Sequence, residues 1–116
     1  PYVFNPDEAA ALTDAGAALI VAHMGCTPKG SIGVTTAKSL EQCATEIQAI
    51  HDAATSIRDD VLVICHGGSI SEPADAQFIL DNTRGVVGFF GASSLERLPT
   101  ERAITRQAEE FKAMNV

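Results

Sequence analysis

The sequence predicts an α/β fold in which four parallel strands alternate with four helices. Two observations support this prediction. Short apolar segments alternate along the chain with longer segments whose apolar residues recur at helical spacing. The short segments are apolar at successive positions, as the strands of a parallel sheet are when helices cover it. The order β-α-β-α-β-α-β-α favours right-handed connections and a single parallel sheet.

The first helix is predicted close to the start of the chain. Asn5 is a suitable N-cap, and Pro6 fits the first helical position. Glu8 stands where the acid of a capping box belongs, and Gly16 is the expected C-terminal stop. The strands on either side of this helix are predicted at residues 2–4 and 17–24.

The middle of the chain is predicted to contain a long loop, residues 26–36, and a long helix, residues 36–58. The loop contains Pro28, Lys29, Gly30 and Gly33. Its length and its glycines suit a mobile lid over a site, and a plain connection between strand and helix is the alternative. The helix is predicted because its apolar residues keep helical spacing throughout. These residues are Leu40, Cys43, Ala44, Ile47, Ile50, Ala54 and Ile57.

The last two strands are predicted at residues 61–66 and 86–90. Pro73 opens the helix between them, which runs to about residue 83. The final helix is expected to begin at Pro99 or Thr100 and to run to about residue 114. Its apolar stripe consists of Ile104, Ala108 and Phe111.

The composition limits the classes of function. With 116 residues and 46% hydrophobic content, the chain supports one domain that spans residues 1–116. A formal charge of −7 argues against nucleic-acid binding, and the apolar runs are too short to span a membrane. Three cysteines without disulfide or zinc spacing fit a reducing cytosol, so a cytoplasmic location is expected. The chain begins at Pro1 without a methionine, so we expect a fragment of a longer protein.

Two predicted strands end in the same pattern, LIVAHMG around His23 and LVICHGG around His66. If side chains alternate along the strands, both imidazoles face one mouth of the sheet. Each is a candidate general acid or base, metal ligand or oxyanion donor, and a half-buried histidine bonded to a backbone carbonyl is the alternative. A metal would need a third ligand such as Glu96 or Glu72. The spacing typical of metal ligands is missing, so no metal site is predicted.

Small residues after the last two predicted strands indicate an anion site. Barrel enzymes hold phosphate with the N–H groups and hydroxyls of the corresponding loops. The alternative is a pair of tight turns in which glycine serves geometry alone. The predicted ligand-binding residues are Gly67, Gly68, Gly91, Ser93 and Ser94.

A charged pair, Glu96 and Arg97, follows the second of these loops. Arg97 is able to clamp a carboxylate or phosphate through two hydrogen bonds, with Glu96 as a base or as its ion-pair partner. A surface ion pair that contributes little to stability is the alternative. With His23 and His66, these two residues complete the predicted catalytic set.

Three segments, GFFGASSLERLPTERAI, HGGSISEPADAQFIL and VAHMG, indicate a known family. The chain resembles the carboxyl-terminal half of the phosphoenolpyruvate hydrolase-like TIM-barrel domain family, which also follows the amino-terminal domain of tomato tobamovirus-resistance-like proteins. The resemblance covers essentially the whole chain and implies kinship with the phosphoenolpyruvate mutase and isocitrate lyase group. That group's acidic metal-binding series and its lysine-cysteine-glycine-histidine motif are missing here. A magnesium cofactor is therefore implied by kinship only, and no residue is assigned to it.

The resemblance implies half of a (β/α)8 barrel, because a full barrel takes about 250 residues. Such a half would expose two sheet edges and one apolar face. We expect other residues of a parent protein or a second copy to cover them, unless the units rearrange into an open sheet with helices on both faces. Association is favoured over a lone monomer.

The expected function is that of an enzyme-like domain that binds a small phosphorylated or carboxylated metabolite. The resemblance implies a phosphoenolpyruvate-type hydrolase or lyase. A non-enzymatic module that senses a metabolite or mediates assembly is the alternative. A structural fragment without a site of its own is the third hypothesis.

Overall fold

In the described part of the chain, four strands alternate with four helices, as the sequence predicts. The structure is a computed structural model that describes residues 1–31, 33, 35 and 37–115. The elements are β1 (Tyr2–Val3), α1 (Pro6–Asp14), β2 (Leu19–His23), α2 (Leu40–Ile57), β3 (Leu62–His66), α3 (Pro73–Asp81), β4 (Val86–Phe90) and α4 (Arg97–Lys112).

The four strands form one parallel sheet in the order β1-β2-β3-β4. The register pairs His23 with His66 and His66 with Phe90, so the ends of three strands lie side by side. A register shift after Val63 leaves Val87 as an extra residue in β4. The predicted fold class, four parallel β/α units that correspond to half of a barrel, is confirmed.

The core lies on one face of the sheet, where α1, α2 and α3 pack. Inward residues of β2 and β3, such as Ile20 and Val63, are fully buried there against the apolar stripe of α2. The opposite face is open. Four large apolar side chains on it are between 45% and 59% exposed, and they are Tyr2, Leu62, Val87 and Phe90. This is the face that would line the interior of a closed barrel.

The first helix begins as predicted. The Asn5 side chain accepts a hydrogen bond of 2.9 Å from the N–H of Glu8, and the Glu8 carboxylate accepts one of 2.8 Å from the N–H of Phe4. Gly16, just after the helix, has a φ of +100°. A residue with a Cβ is strained in this conformation, which is why glycine suits the stop.

The second helix begins later than predicted, at Leu40 rather than Thr36, and Thr36 itself lies outside the described residues. The reason is a capping box. Ser39 accepts a hydrogen bond of 3.2 Å from the N–H of Gln42, and the Gln42 side chain accepts one of 2.9 Å from the N–H of Ser39.

The last helix begins earlier than predicted, at Arg97. A turn over residues 92–96 leads directly into it, and Pro99 falls in its first turn, where a missing N–H costs little. The predicted apolar stripe is not packed, because Ile104 and Phe111 are each 65% exposed.

The molecule is 67 Å long and 24 by 23 Å across. Of the described helices, none combines the length and the apolar content that crossing a bilayer requires.

Candidate functional site

A cleft of about 200 Å³ lies at the carboxyl ends of β2, β3 and β4. The histidines that end β2 and β3 form part of its wall, and the loops after the three strands form most of the rest. The lining residues are His23, Gly25, Cys26, Thr27, His66, Gly67, Ile70, Phe89, Ala92, Ser93 and Ser94. Five predicted site residues, His23, His66, Gly67, Ser93 and Ser94, therefore meet in one cleft.

His66 is 8% exposed, and its Nδ1 atom lies 2.6 Å from the carbonyl oxygen of Phe90. A carbonyl oxygen only accepts hydrogen bonds, so Nδ1 must carry the proton. In the neutral ring, Nε2 then holds a lone pair. The hydrogen bond from His66 to a backbone carbonyl, which is the structural alternative for this residue, thus also fixes its tautomer.

His23 is also bound to the backbone through Nδ1, but as a hydrogen-bond acceptor rather than a donor. Its Nδ1 atom accepts a hydrogen bond of 3.0 Å from the N–H of Gly25, so the neutral ring carries its proton on Nε2. Burial, followed by repulsion from His66, lowers the pKa of His23 below its ordinary value. Both effects favour the neutral ring.

Aromatic side chains surround the two imidazoles, whose centroids are 4.8 Å apart. The ring of Tyr2 stacks on His66 and meets His23 edge-on, at centroid distances of 5.1 Å and 5.0 Å. Phe4 contacts His23 at 4.9 Å. Sequence reasoning missed Tyr2 and Phe4. The signal that could have indicated them is the parallel pairing of the first two strands, which places Tyr2 and Phe4 close to His23.

The opposite wall of the cleft offers hydrogen-bond donors. Among the described residues, none accepts a bond from the N–H groups of Ala92, Ser93 or Ser94, and none pairs with the hydroxyls of Ser93 and Ser94. The turn that leads into α4 leaves these groups without intrahelical partners. Convergent N–H groups and hydroxyls of this kind bind oxyanions.

The glycines among the predicted ligand-binding residues also serve backbone geometry. Gly67 and Gly68 have φ values of +75° and +59°, and a Cβ on either would lie 2.5 Å from a carbonyl oxygen of residues 24–25. The N–H of Gly68 donates to the carbonyl of Gly25 at 2.6 Å, so it is already engaged. Gly91 packs against Leu95 and lies outside the cleft, as Gly68 does.

The structure does not bring Glu96 and Arg97 to the histidines. Arg97 donates to the carboxylate of Glu101 at 2.9 Å and to the carbonyl of Lys29 at 3.0 Å. Glu96 is the exposed residue just before α4. The two residues therefore lie outside the cleft lining, and Arg97 fastens the loop after β2 to the start of α4.

Three further contacts hold this loop. Lys29 forms an ion pair with Asp75 at 3.1 Å, and the N–H and the hydroxyl of Ser31 each donate to the carboxylate of Glu101 at 3.2 Å. Burial acts to raise the pKa of Asp75, but the bonds from Lys29 and from two backbone N–H groups outweigh it and lower the pKa. The rest of the predicted lid, at residues 32, 34 and 36, lies outside the described residues.

Magnesium, which the kinship of the family implies, does not fit this cleft. Mg²⁺ prefers carboxylate and other hard oxygen ligands, and none of the described lining residues carries a carboxylate. Within residues 1–31, 33, 35 and 37–115, no three His, Cys, Asp or Glu side chains cluster closely enough to hold one metal ion. No step is therefore assigned to magnesium.

Comparison with known proteins identifies the family. The profile described as phosphoenolpyruvate hydrolase-like matches residues 1–114. The chain belongs to the phosphoenolpyruvate hydrolase-like family. This confirms the resemblance that the GASSLERLP segment carries.

Two curated relatives of this phosphoenolpyruvate hydrolase-like chain come from Solanum lycopersicum. They are "ToMV susceptible protein tm-1(GCR26)" and "ToMV resistance protein Tm-1(GCR237)". Each is 54% identical to the chain over all 116 residues. The chain spans 15% of the length of either relative.

Proposed function

We propose that the cleft binds a small phosphorylated or carboxylated metabolite and that His66 accepts a proton there. One observation carries the proposal. The same cleft is lined by a histidine with a fixed tautomer and by three successive residues whose N–H groups have no acceptor among the described residues.

Anion binding rests on local donors. The protein carries a net charge of −7, so its overall field repels anions. Attraction must come from the N–H groups of Ala92, Ser93 and Ser94 and from the two serine hydroxyls. Such donors are preorganised, because the turn into α4 holds them before the ligand arrives.

Proton transfer rests on His66. The Phe90 carbonyl holds Nδ1–H and leaves the Nε2 lone pair for a ligand or a water molecule. A base with this orientation suits hydrolysis or a lyase reaction, in which a proton leaves water or a carbon-bound hydroxyl. A phosphoenolpyruvate-type substrate is the form of this proposal that family membership supports.

Calorimetric titration of the full-length protein with phosphate, phosphoenolpyruvate and lactate tests the binding half of the proposal. Replacing Ser93 and Ser94 together with alanine should weaken binding by about a hundredfold, since two hydrogen bonds to a charged group are lost. Ser56→Ala is the matched control, because Ser56 lies on α2 and bonds only to its own helix. If none of these anions binds the full-length protein, the proposal is wrong.

A second candidate function is a metabolite sensor without catalysis. It is favoured by one observation, that no described lining residue carries a permanently charged side chain. Turnover by the unmodified full-length protein separates the two functions, and His66→Asn shows whether His66 is responsible for it. In an enzyme this change abolishes turnover while anion affinity persists. In a sensor, the unmodified full-length protein turns over none of the anions that it binds.

A further inference from the structure

The two histidines of the cleft are bound to the backbone in opposite senses. His66 donates its Nδ1–H to a carbonyl, and His23 accepts an N–H at Nδ1. Each ring therefore leaves Nε2 for a ligand, and among the described residues no protein group bonds to either Nε2 atom. In the neutral pair, Nε2 of His23 is a donor and Nε2 of His66 is an acceptor.

We infer that the ligand of this cleft carries a hydroxyl group, as an alcohol, an enol or a hydrated carbonyl, beside its anionic end. The inference rests on the proposed function and names the ligand class of the same site. Phosphoenolpyruvate itself has no free hydroxyl, whereas the enol of pyruvate that its hydrolysis releases has one. A hydroxyl is the small group that accepts one hydrogen bond and donates another through a single atom. The ring centroids are 4.8 Å apart and both rings line the same cleft, and two hydrogen bonds of about 2.9 Å to one oxygen span a comparable distance.

Other groups satisfy this pair less well. An alkyl group would leave a half-buried donor and a buried acceptor without partners, which costs free energy. A second carboxylate would accept from His23 but would face the lone pair of His66. The aromatic rings of Tyr2 and Phe4, which contact the histidines, also favour an uncharged group at this position.

Matched ligands test the inference in the full-length protein. Lactate and propionate differ by one hydroxyl, as do 2-hydroxyethyl phosphate and ethyl phosphate. In at least one pair, the compound with the additional hydroxyl should bind about tenfold more tightly, because a site built to bond a hydroxyl disfavours the analogue without it.

Paired substitutions show whether the histidines are the cause. Asparagine places a polar atom where Nδ1 lies and removes Nε2, so His23→Asn and His66→Asn keep the backbone bonds and should abolish the preference for the hydroxyl. Glutamine places a polar atom near Nε2, so His23→Gln and His66→Gln should retain part of it. Circular dichroism confirms that each variant folds.

The outcomes separate this inference from the proposed function. If anions bind but neither ligand pair shows a preference for the hydroxyl, the inference is overturned and the anion site stands. A preference that survives both asparagine variants likewise overturns it. If none of the four compounds binds while phosphate or phosphoenolpyruvate does, the inference is overturned and the anion site stands. If none of these anions binds, the inference fails together with the proposed function.

Discussion

The ring of Tyr2 lies flat on the imidazole of His66, with centroids 5.1 Å apart and planes 5° apart. β1 contributes two residues to the sheet, yet one of them forms part of the candidate site. The contact explains how a residue at the very edge of the sheet helps to hold an imidazole in the cleft. It also leads to the first prediction.

Replacing Tyr2 with alanine should lower the free energy of unfolding by about 1 kcal/mol, because an aromatic contact and part of an apolar wall are lost. The effect is modest because Tyr2 is 46% exposed. Tyr2→Phe keeps the ring and should change stability little, since no described residue bonds to the hydroxyl. Urea unfolding measures both variants, and equal losses in the two would contradict the stacking argument.

The pKa of His23 predicts how stability depends on pH. Burial and His66 lower this pKa in the folded protein, so the unfolded chain binds the proton more readily. The contribution of His23 is complete above about pH 6.5 and is lost as the pH falls below that value. Thermal unfolding between pH 5 and pH 8 should show a falling midpoint on the acid side.

His23→Asn is the control for this pH dependence, because it keeps the bond from Gly25 without a titrating ring. The fall in midpoint between pH 6.5 and pH 5 should become smaller in this variant. NMR titration of the His23 ring measures the pKa directly. A value at or above 6.5 would show that burial does not govern this group.

Removing the Arg97 guanidinium should loosen the loop after β2. Arg97→Gln breaks the bonds to Glu101 and to the carbonyl of Lys29, so amide hydrogens at residues 29–31 should exchange faster. Global stability should change by less than about 1 kcal/mol, as is usual for partly exposed ion pairs. Arg106→Gln is the matched control, because Arg106 also pairs at i,i+4, with Glu110, far from the loop. Equal exchange in both variants would contradict the role of Arg97.

The open face of the sheet should make residues 1–116 self-associate when they are produced alone. Leu62 and Val87 are 48% and 59% exposed on this face, and apolar patches of this kind drive association. Leu62→Lys and Val87→Lys should each lower the mass measured by light scattering. Ile57→Lys is the control, because Ile57 is 47% exposed but lies at the end of α2. A monomeric unmodified chain would contradict the prediction.

Most of the secondary structure was predictable because its signals are local. β4 lies at the predicted residues, and the Asn5 cap and the Gly16 stop act within one helical turn. The start of α2 was missed by four residues, although the Ser39 capping box is itself a local signal. The predicted start of α4, at Pro99 or Thr100, is two to three residues too late, because a proline is tolerated anywhere in the first turn of a helix.

The candidate site was predictable only in part. Alternation along a strand placed His23 and His66 on one face, and the parallel register brings them together. Ser93 and Ser94 reach the same cleft because β4 lies beside β3. The ion-pair partner of Arg97 was not predicted. Arg97 and Glu101 are one helical turn apart, and they pair because α4 begins at Arg97, before its predicted start.

The sequence by itself determined the order of the elements, the family and the strand ends at which the histidines lie. These features follow from periodicity and from chain direction, which need no knowledge of distant contacts. Only the tertiary structure decided which nitrogen of each imidazole the backbone holds, which aromatic rings enclose the pair and which face of the sheet stays open. The physical reason is that a hydrogen bond or a ring contact depends on partners many residues away, such as Phe90 for His66, and on the register that aligns them.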